Sequence, residues 1–145
     1  MVQERNKQKF RHRMDVQLRF NDVDRFGHVN NAVYFSLYDM AKTEYLHLSL
    51  PHEFEFQTVV PVVANINADF FMPVFYGDSI VLETAVVHIG TKSFTLLQQA
   101  VNTNTNVVVC QCKTVMVCFS QKEKTAVEIP DDVRKAFETY EGIEP

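Results

Sequence analysis

Asn21-Asp22-Val23-Asp24-Arg25-Phe26-Gly27-His28-Val29-Asn30-Asn31 runs directly into Ala32-Val33-Tyr34-Phe35-Ser36-Leu37-Tyr38-Asp39-Met40-Ala41-Lys42, and this junction decides the fold. Upstream of it, Met14, Val16, Leu18 and Phe20 alternate with polar residues, which predicts a half-buried strand over 14–22. Downstream, Val33, Leu37, Met40, Ala41 and Tyr45 fall at helical spacing. Asn30 or Asn31 can cap that helix, since an Asn side chain accepts a hydrogen bond from a first-turn amide. Pro51 ends it, because proline lacks the N–H the ladder needs and restricts the residue before it. His52 to Gln57 reads as a connection.

From Thr58 the period changes from helical to alternating. Residues 58–71, 79–89, 92–102 and 106–120 read as four strands, separated by turn signals at Pro73–Gly77–Asp78, Gly90–Thr91 and Asn102–Asn106. Their order suggests an antiparallel meander. In the first, Val60, Val62, Ala64, Ile66, Ala68 and Phe70 are expected on the core face, with Asn65, Asn67 and Asp69 beside Val59 and Val63 on the other. Residues 130–141 read as a short C-terminal helix, with Pro130 near its first turn, Asp131 and Asp132 at its positive end and Gly142 at its stop. The long helix carries apolar residues nearly all round, so the expected architecture is α+β, a strongly curved antiparallel sheet wrapped around one central helix. Open sheet edges predict a twofold homo-oligomer.

Length and composition set the outer limits. At 145 residues the chain is expected to be one domain, 1–145, with 1–13 as a flexible basic tail carrying Arg5, Lys7, Lys9, Arg11 and Arg13. Hydrophobic residues at 46% and charged residues at 22% exclude disorder. A net charge of −4 argues against a nucleic-acid partner. The longest apolar run, Phe70 to Tyr76, is interrupted by Pro73 and falls far short of the roughly 20 residues of a membrane span. The N-terminus lacks the apolar stretch of a signal peptide, so a cytoplasmic protein is expected. Three cysteines, Cys110, Cys112 and Cys118, make no disulfide framework and lack zinc-site spacing; they read as buried thiols.

The densest polar segment is 21–31, at a strand-to-helix junction. A helix N-terminus offers unpaired N–H groups and the positive end of its dipole, which can polarise a carbonyl. Asp24 beside it can serve as base or nucleophile, and His28 can orient a water, a substrate carbonyl or Asp24 itself. The same residues also suit a tight turn and an N-cap, with His28 satisfying a backbone carbonyl.

The string from Asp22 to Tyr34, followed by Tyr38-Asp39-Met40-Ala41-Lys42, resembles the signature of hotdog-fold thioesterases, in the branch of 4-hydroxybenzoyl-CoA thioesterase and its acyl-CoA and acyl-carrier-protein relatives. Phe70 to Ile80, with Pro73 and Gly77-Asp78, and the turn Gly90-Thr91-Lys92-Ser93 are similar to later parts of that pattern. The resemblance spans about residues 14–120 and implies a central helix inside a sheet, dimers that join their sheets, and pairing of dimers into tetramers. It implies hydrolysis of an acyl-CoA thioester, with Asp24 as the catalytic carboxylate, Asp22 structural, His28 assisting, and the backbone N–H of Asn31 polarising the thioester carbonyl. Phe26 stands where related plant acyl-carrier-protein thioesterases have an Asn. Some hotdog enzymes use a mid-helix acid, for which Asp39 or Glu44 would be the weaker choices; Lys42, Glu44 and Tyr45 also suit an exposed helix edge.

Asn30 and Tyr34 flank the proposed oxyanion donor as substrate-binding candidates. Lys92 and Ser93 could hold the CoA arm, or be a plain hairpin turn. Asn65 and Asn67 could line the acyl pocket or a dimer contact, and Phe54, Phe56, Phe70, Phe71 and Phe75 could form an acyl-binding wall or simply core. No metal is expected, and no cofactor apart from the coenzyme A of the substrate. An acyl-acyl-carrier-protein thioesterase and a non-catalytic acyl-CoA-binding module are the alternatives. A dehydratase of the same fold would need a different His and Asp arrangement.

Overall fold

The computed structural model describes residues 3–4, 8–51 and 58–143. In chain order these form β1 (Gln3–Glu4), β2 (His12–Val16), a 3-10 turn (Phe20–Asp22), α1 (Asn31–Ser49), β3 (Val59–Phe70), β4 (Ile80–Ile89), β5 (Ser93–Asn102), β6 (Val107–Ser120), β7 (Thr125–Ala126) and α2 (Asp131–Glu141). Every ladder is antiparallel, and the principal strands lie in the order β2-β4-β5-β6-β3. Register shifts between Val63 and Asn65, Val86 and His88, and Ala100 and Val101 mark bulges, which bend strands and tighten their twist. The result is the α+β hotdog arrangement, with the sheet curved around α1.

Two core clusters lie along α1. Tyr34, Tyr38 and Ala41 pack with Leu82, Ala100, Cys110 and Cys112 near its N-terminal end. Tyr45 packs with Val86, Phe94, Leu96, Met116 and Phe137 near its C-terminal end. Phe94 and Phe137 are fully buried and each contributes about 1.5–3 kcal/mol relative to an exposed ring. α2 supplies Val133 and Phe137 and stops at Gly142, whose φ of 68° ends the helix in the left-handed region. Its end is tied to the sheet where Glu141 accepts hydrogen bonds from the Tyr45 hydroxyl and from the Val86 N–H at 3.1 Å. Cys110, Cys112 and Cys118 are buried free thiols; burial pushes Cys110 up to about 12. No helix among the described residues is long and apolar enough to cross a membrane.

Several local expectations change. The first strand covers His12–Val16 rather than 14–22; it starts inside the stretch expected as a tail, and the chain turns at Phe20–Asp22 because Asp22 captures the Arg19 N–H at 2.8 Å. Only β4, β5 and β6 form a meander. β3 pairs with β6 rather than with β4, so residues 71–79 must cross the sheet end beneath the start of α1.

The faces of β3 also differ from simple alternation. The bulge leaves Ala64 without a partner, so Val59, Pro61, Val63, Ile66, Ala68 and Phe70 oppose the inward residues of β6, while Val60, Val62, Asn65, Asn67 and Asp69 face out. As an edge strand β3 stays largely open: Val63 and Ile66 are 45% and 44% exposed. Nor is α1 covered all round. It buries Tyr34, Tyr38, Ala41, Tyr45 and Ser49, but leaves Phe35, Met40 and Leu48 exposed. The connection expected at His52 to Gln57, with Phe54 and Phe56, lies outside the described residues.

Candidate active site

Between the 3-10 turn and α1 the chain forms a small loop closed by a bridge from Val23 to Val29. The Asp24 N–H donates to the His28 carbonyl at 2.8 Å, and the Gly27 N–H donates to the Asp24 carbonyl at 3.0 Å. Gly27 has φ +83°, a conformation costly for any residue with a Cβ, which accounts for glycine at that point. Asp22 anchors the loop's entrance. Its carboxylate, 2% exposed, accepts from the Arg19 N–H and from the Arg19 guanidinium at 3.0 Å, and these bonds hold its carboxyl below the usual carboxylate range. Its carbonyl accepts from the Asn30 N–H, tying loop entrance to helix start.

Asp24 is half-buried within this loop. Its Oδ1 accepts from the Phe26 N–H at 2.9 Å and from the His28 N–H at 3.3 Å, while Oδ2 has no hydrogen-bond partner among the described residues. His28 opposes Phe75, ring centroids 5.0 Å apart at 81°. The next residue locks the pairing: the Val29 N–H donates to the Val74 carbonyl at 2.7 Å.

α1 then begins. Asn30 is the cap, its side-chain oxygen accepting from the Ala32 N–H at 2.9 Å, and its carbonyl accepts from the Val33 N–H. That leaves the Asn31 N–H without an acceptor among the described residues, at the positive end of a 19-residue helix. A cleft of about 220 Å³ opens there, lined by His28, Val29, Asn31 and Tyr34 on one side and by residues 70–74 on the other. Tyr34 is 5% exposed with its ring 5.5 Å from that of Phe70, and its hydroxyl has no partner among the described residues. Burial pushes the phenol well above its ordinary range.

The fold thus brings His28, Asn31 and Tyr34 to one cleft; Asp24 does not line it and is tied to its wall through the His28 N–H. Other candidates sit elsewhere. The Asn30 side chain is engaged by the cap. Asn65 and Asn67 lie on the outward face of β3 and bond to each other at 3.1 Å. Lys92 and Ser93 occupy the β4–β5 turn, a strand length of about 30 Å from the cleft end of β5. There the Lys92 carbonyl accepts from the Cys118 N–H and the Ser93 carbonyl from the Gly90 N–H. The mid-helix acids are paired away from the cleft, Asp39 with Lys42 at 3.0 Å and Glu44 with His12 at 2.7 Å. Tyr45 is fully buried rather than on an exposed edge, and the Lys42 side chain is only 16% exposed.

Met72, Pro73 and Val74 also line the cleft, although in sequence they mark only a turn. The available signal was an apolar run where a solvent-facing turn would be polar. Among the described residues no group of three His, Cys, Asp or Glu is arranged to hold a metal ion.

The model of the thioesterase-like superfamily matches residues 18–137. The 1,4-dihydroxy-2-naphthoyl-CoA hydrolase of Nostoc punctiforme is 28% identical over 125 residues, covering 84% of this chain and 83% of that protein. The acyl-CoA thioester hydrolase YbgC of Escherichia coli is 23% identical over 130 residues, covering 86% and 94%. Among solved structures, a thioesterase from Thermus thermophilus complexed with coenzyme A and Zn superposes with a TM-score of 0.80 at 26% identity, covering 94% of this chain and 97% of that one.

Proposed function

The chain belongs to the thioesterase-like superfamily, and from that premise we propose that it hydrolyses an acyl-CoA thioester to the free acid and CoA. The observation that carries the reading is the unpaired Asn31 N–H at a helix N-terminus that opens into a cleft whose wall includes His28, the residue whose own N–H donates to the half-buried Asp24 carboxylate. The thioester carbonyl oxygen accepts from that N–H, and the helix dipole stabilises the negative charge developing on it. Oδ2 of Asp24 acts by one of two routes. As nucleophile it adds to the carbonyl carbon, expels CoA thiolate and leaves a mixed anhydride that water cleaves. As base it takes a proton from a water that adds instead, again expelling the thiolate. His28, on the cleft wall, orients the water or the carboxylate. Coenzyme A enters as part of the substrate and leaves as the free thiol product.

The working unit of this reading is a homodimer. The open edge of β3, with Val63 and Ile66 exposed, supports it, as does the uncovered side of α1. A twofold pairing of two β3 edges is antiparallel and brings the partner's Val59 end against this chain's Phe70 end. Lys92 and Ser93 of the partner subunit then lie at the same end as this chain's cleft, about three strand spacings or 15 Å from this chain's β3. The CoA arm would run across that distance, and Asn65 and Asn67 would lie along the joined edge.

One observation favours a non-catalytic binding module: Asp24 Oδ1 is held by loop amides as in a plain turn. Thiol release from short, medium, long and aromatic acyl-CoA thioesters, with acyl-carrier-protein esters alongside, decides. Turnover on a CoA ester supports the proposal, turnover on carrier-protein esters alone moves the substrate to that carrier, and binding without turnover leaves the module.

A further inference from the structure

The stretch from Pro73 to Asp78 has so far been a cleft wall and a turn into β4, yet it also holds the residue that faces His28. Phe75 meets His28 across an antiparallel bridge, ring edge to ring face, an arrangement aromatic rings favour. Phe75 is itself 47% exposed, so packing does not fix it. Hydrogen bonds with Asp78 fix its backbone. Its Oδ2 accepts from the Phe75 N–H at 2.9 Å, and its own N–H donates to the Phe75 carbonyl at 3.0 Å, closing the turn from both sides. Gly77, at φ +97°, allows the chain to reverse between them; a Cβ there would meet nothing within 4 Å, so the demand for glycine is purely conformational. Neither Phe75 nor Asp78 lines the cleft, whereas His28 does.

We infer that Asp78 and Phe75 are positioning residues for His28: the carboxylate fixes the turn, the turn fixes the Phe75 ring, and the ring fixes the imidazole at the cleft wall. This rests on His28 acting in the cleft as proposed above. Asp78 carries a charge as well as an acceptor, and its field also reaches the Tyr34 phenol. Asp78→Asn separates the two, since an amide oxygen still accepts the Phe75 N–H.

The imidazole resonances of the five histidines can be followed by proton–carbon NMR, with His28→Gln assigning the one of interest. The His28 ring protons should show a ring-current shift that Phe75→Leu and Asp78→Ala abolish and Asp78→Asn retains. In parallel, Asp78→Ala should lower kcat about tenfold with KM within about threefold, and Asp78→Asn should restore kcat to within about threefold. Phe75→Leu keeps the turn's hydrogen bonds, so it reports even if Asp78→Ala fails to fold. Unchanged His28 signals in Phe75→Leu, or an Asp78→Asn variant as impaired as Asp78→Ala, would overturn the inference. If the unmodified protein cleaves no thioester, the hydrolase reading fails by itself, and the NMR comparison still decides the positioning.

Discussion

Replacing Asp24 in two ways separates its chemistry from its place in the loop. Asn keeps an oxygen at the Oδ1 position, so the bonds from the Phe26 and His28 N–H groups survive. It cannot act as base or nucleophile. Losing a positioned base typically costs 10²–10⁴-fold, about 3–5 kcal/mol of transition-state stabilisation at about 1.36 kcal/mol per decade. Ala removes the two loop bonds as well. For a half-exposed pair these contribute about 1–2 kcal/mol in total, which at about 2–4 °C per kcal/mol for a chain of this size lowers the melting temperature by about 2–8 °C. Thiol release at substrate concentrations well below KM gives kcat/KM, and thermal unfolding followed by circular dichroism gives the melting temperature. Asp24→Asn should lose activity at unchanged melting temperature, whereas Asp24→Ala should lose both. An Asn variant within tenfold of the unmodified enzyme would refute the catalytic assignment. An Asn variant as unstable as Ala would refute the structural half, because the retained oxygen would then not be holding the loop.

Val63→Asp or Ile66→Lys on the exposed edge of β3 should give a monomer by sedimentation velocity and abolish turnover; an active monomer would break the shared-site reading. Lys92→Ala should raise KM for CoA esters severalfold but not for the corresponding N-acetylcysteamine esters, which lack the nucleotide. Burial raises the Glu141 carboxyl above its ordinary 4.5, so folding favours its protonated form: the stability it contributes is full below about pH 4.5 and declines as pH rises through the raised value. Glu141→Gln, which keeps an acceptor for Tyr45, should therefore unfold at a higher temperature than the unmodified protein at pH 7, with the gap closing by pH 4. Asp22 is opposite in sign: its lowered carboxyl stabilises above about pH 3.8 and less as pH falls through the lowered value, so the melting-temperature deficit of Asp22→Asn at pH 7 should shrink under acid.

Which parts of this molecule were legible beforehand follows the range of the interactions involved. Periodicity is local, and it located α1, the four long strands and the loop between Asp22 and Asn31. The cap at Asn30 or Asn31, which the structure gives to Asn30, and the stop at Gly142 are likewise demands of single residues on their own backbone. The candidate loop was readable for the same reason, since Asp24, His28 and Asn31 sit within eight consecutive positions, and the structure carries His28 and Asn31 of them to the cleft wall.

Partners distant in sequence were not readable. An alternating strand declares its two faces but not its neighbour, so β3 was expected beside β4 and lies beside β6. One extra residue at Ala64 then exchanges the faces of half the strand, because side-chain direction alternates and a single insertion inverts it. The nearly all-round apolar composition of α1 implies few exposed positions, whereas one chain leaves Phe35, Met40 and Leu48 uncovered. His12 with Glu44 and Asp78 behind Phe75 are contacts that only the folded backbone selects. The sequence by itself determined the elements and the polar loop before α1, because those depend on neighbours along the chain. The tertiary structure decided which strand forms the open edge, how far Lys92 lies from the cleft within one chain and what faces His28, because those depend on how separate segments pair in space.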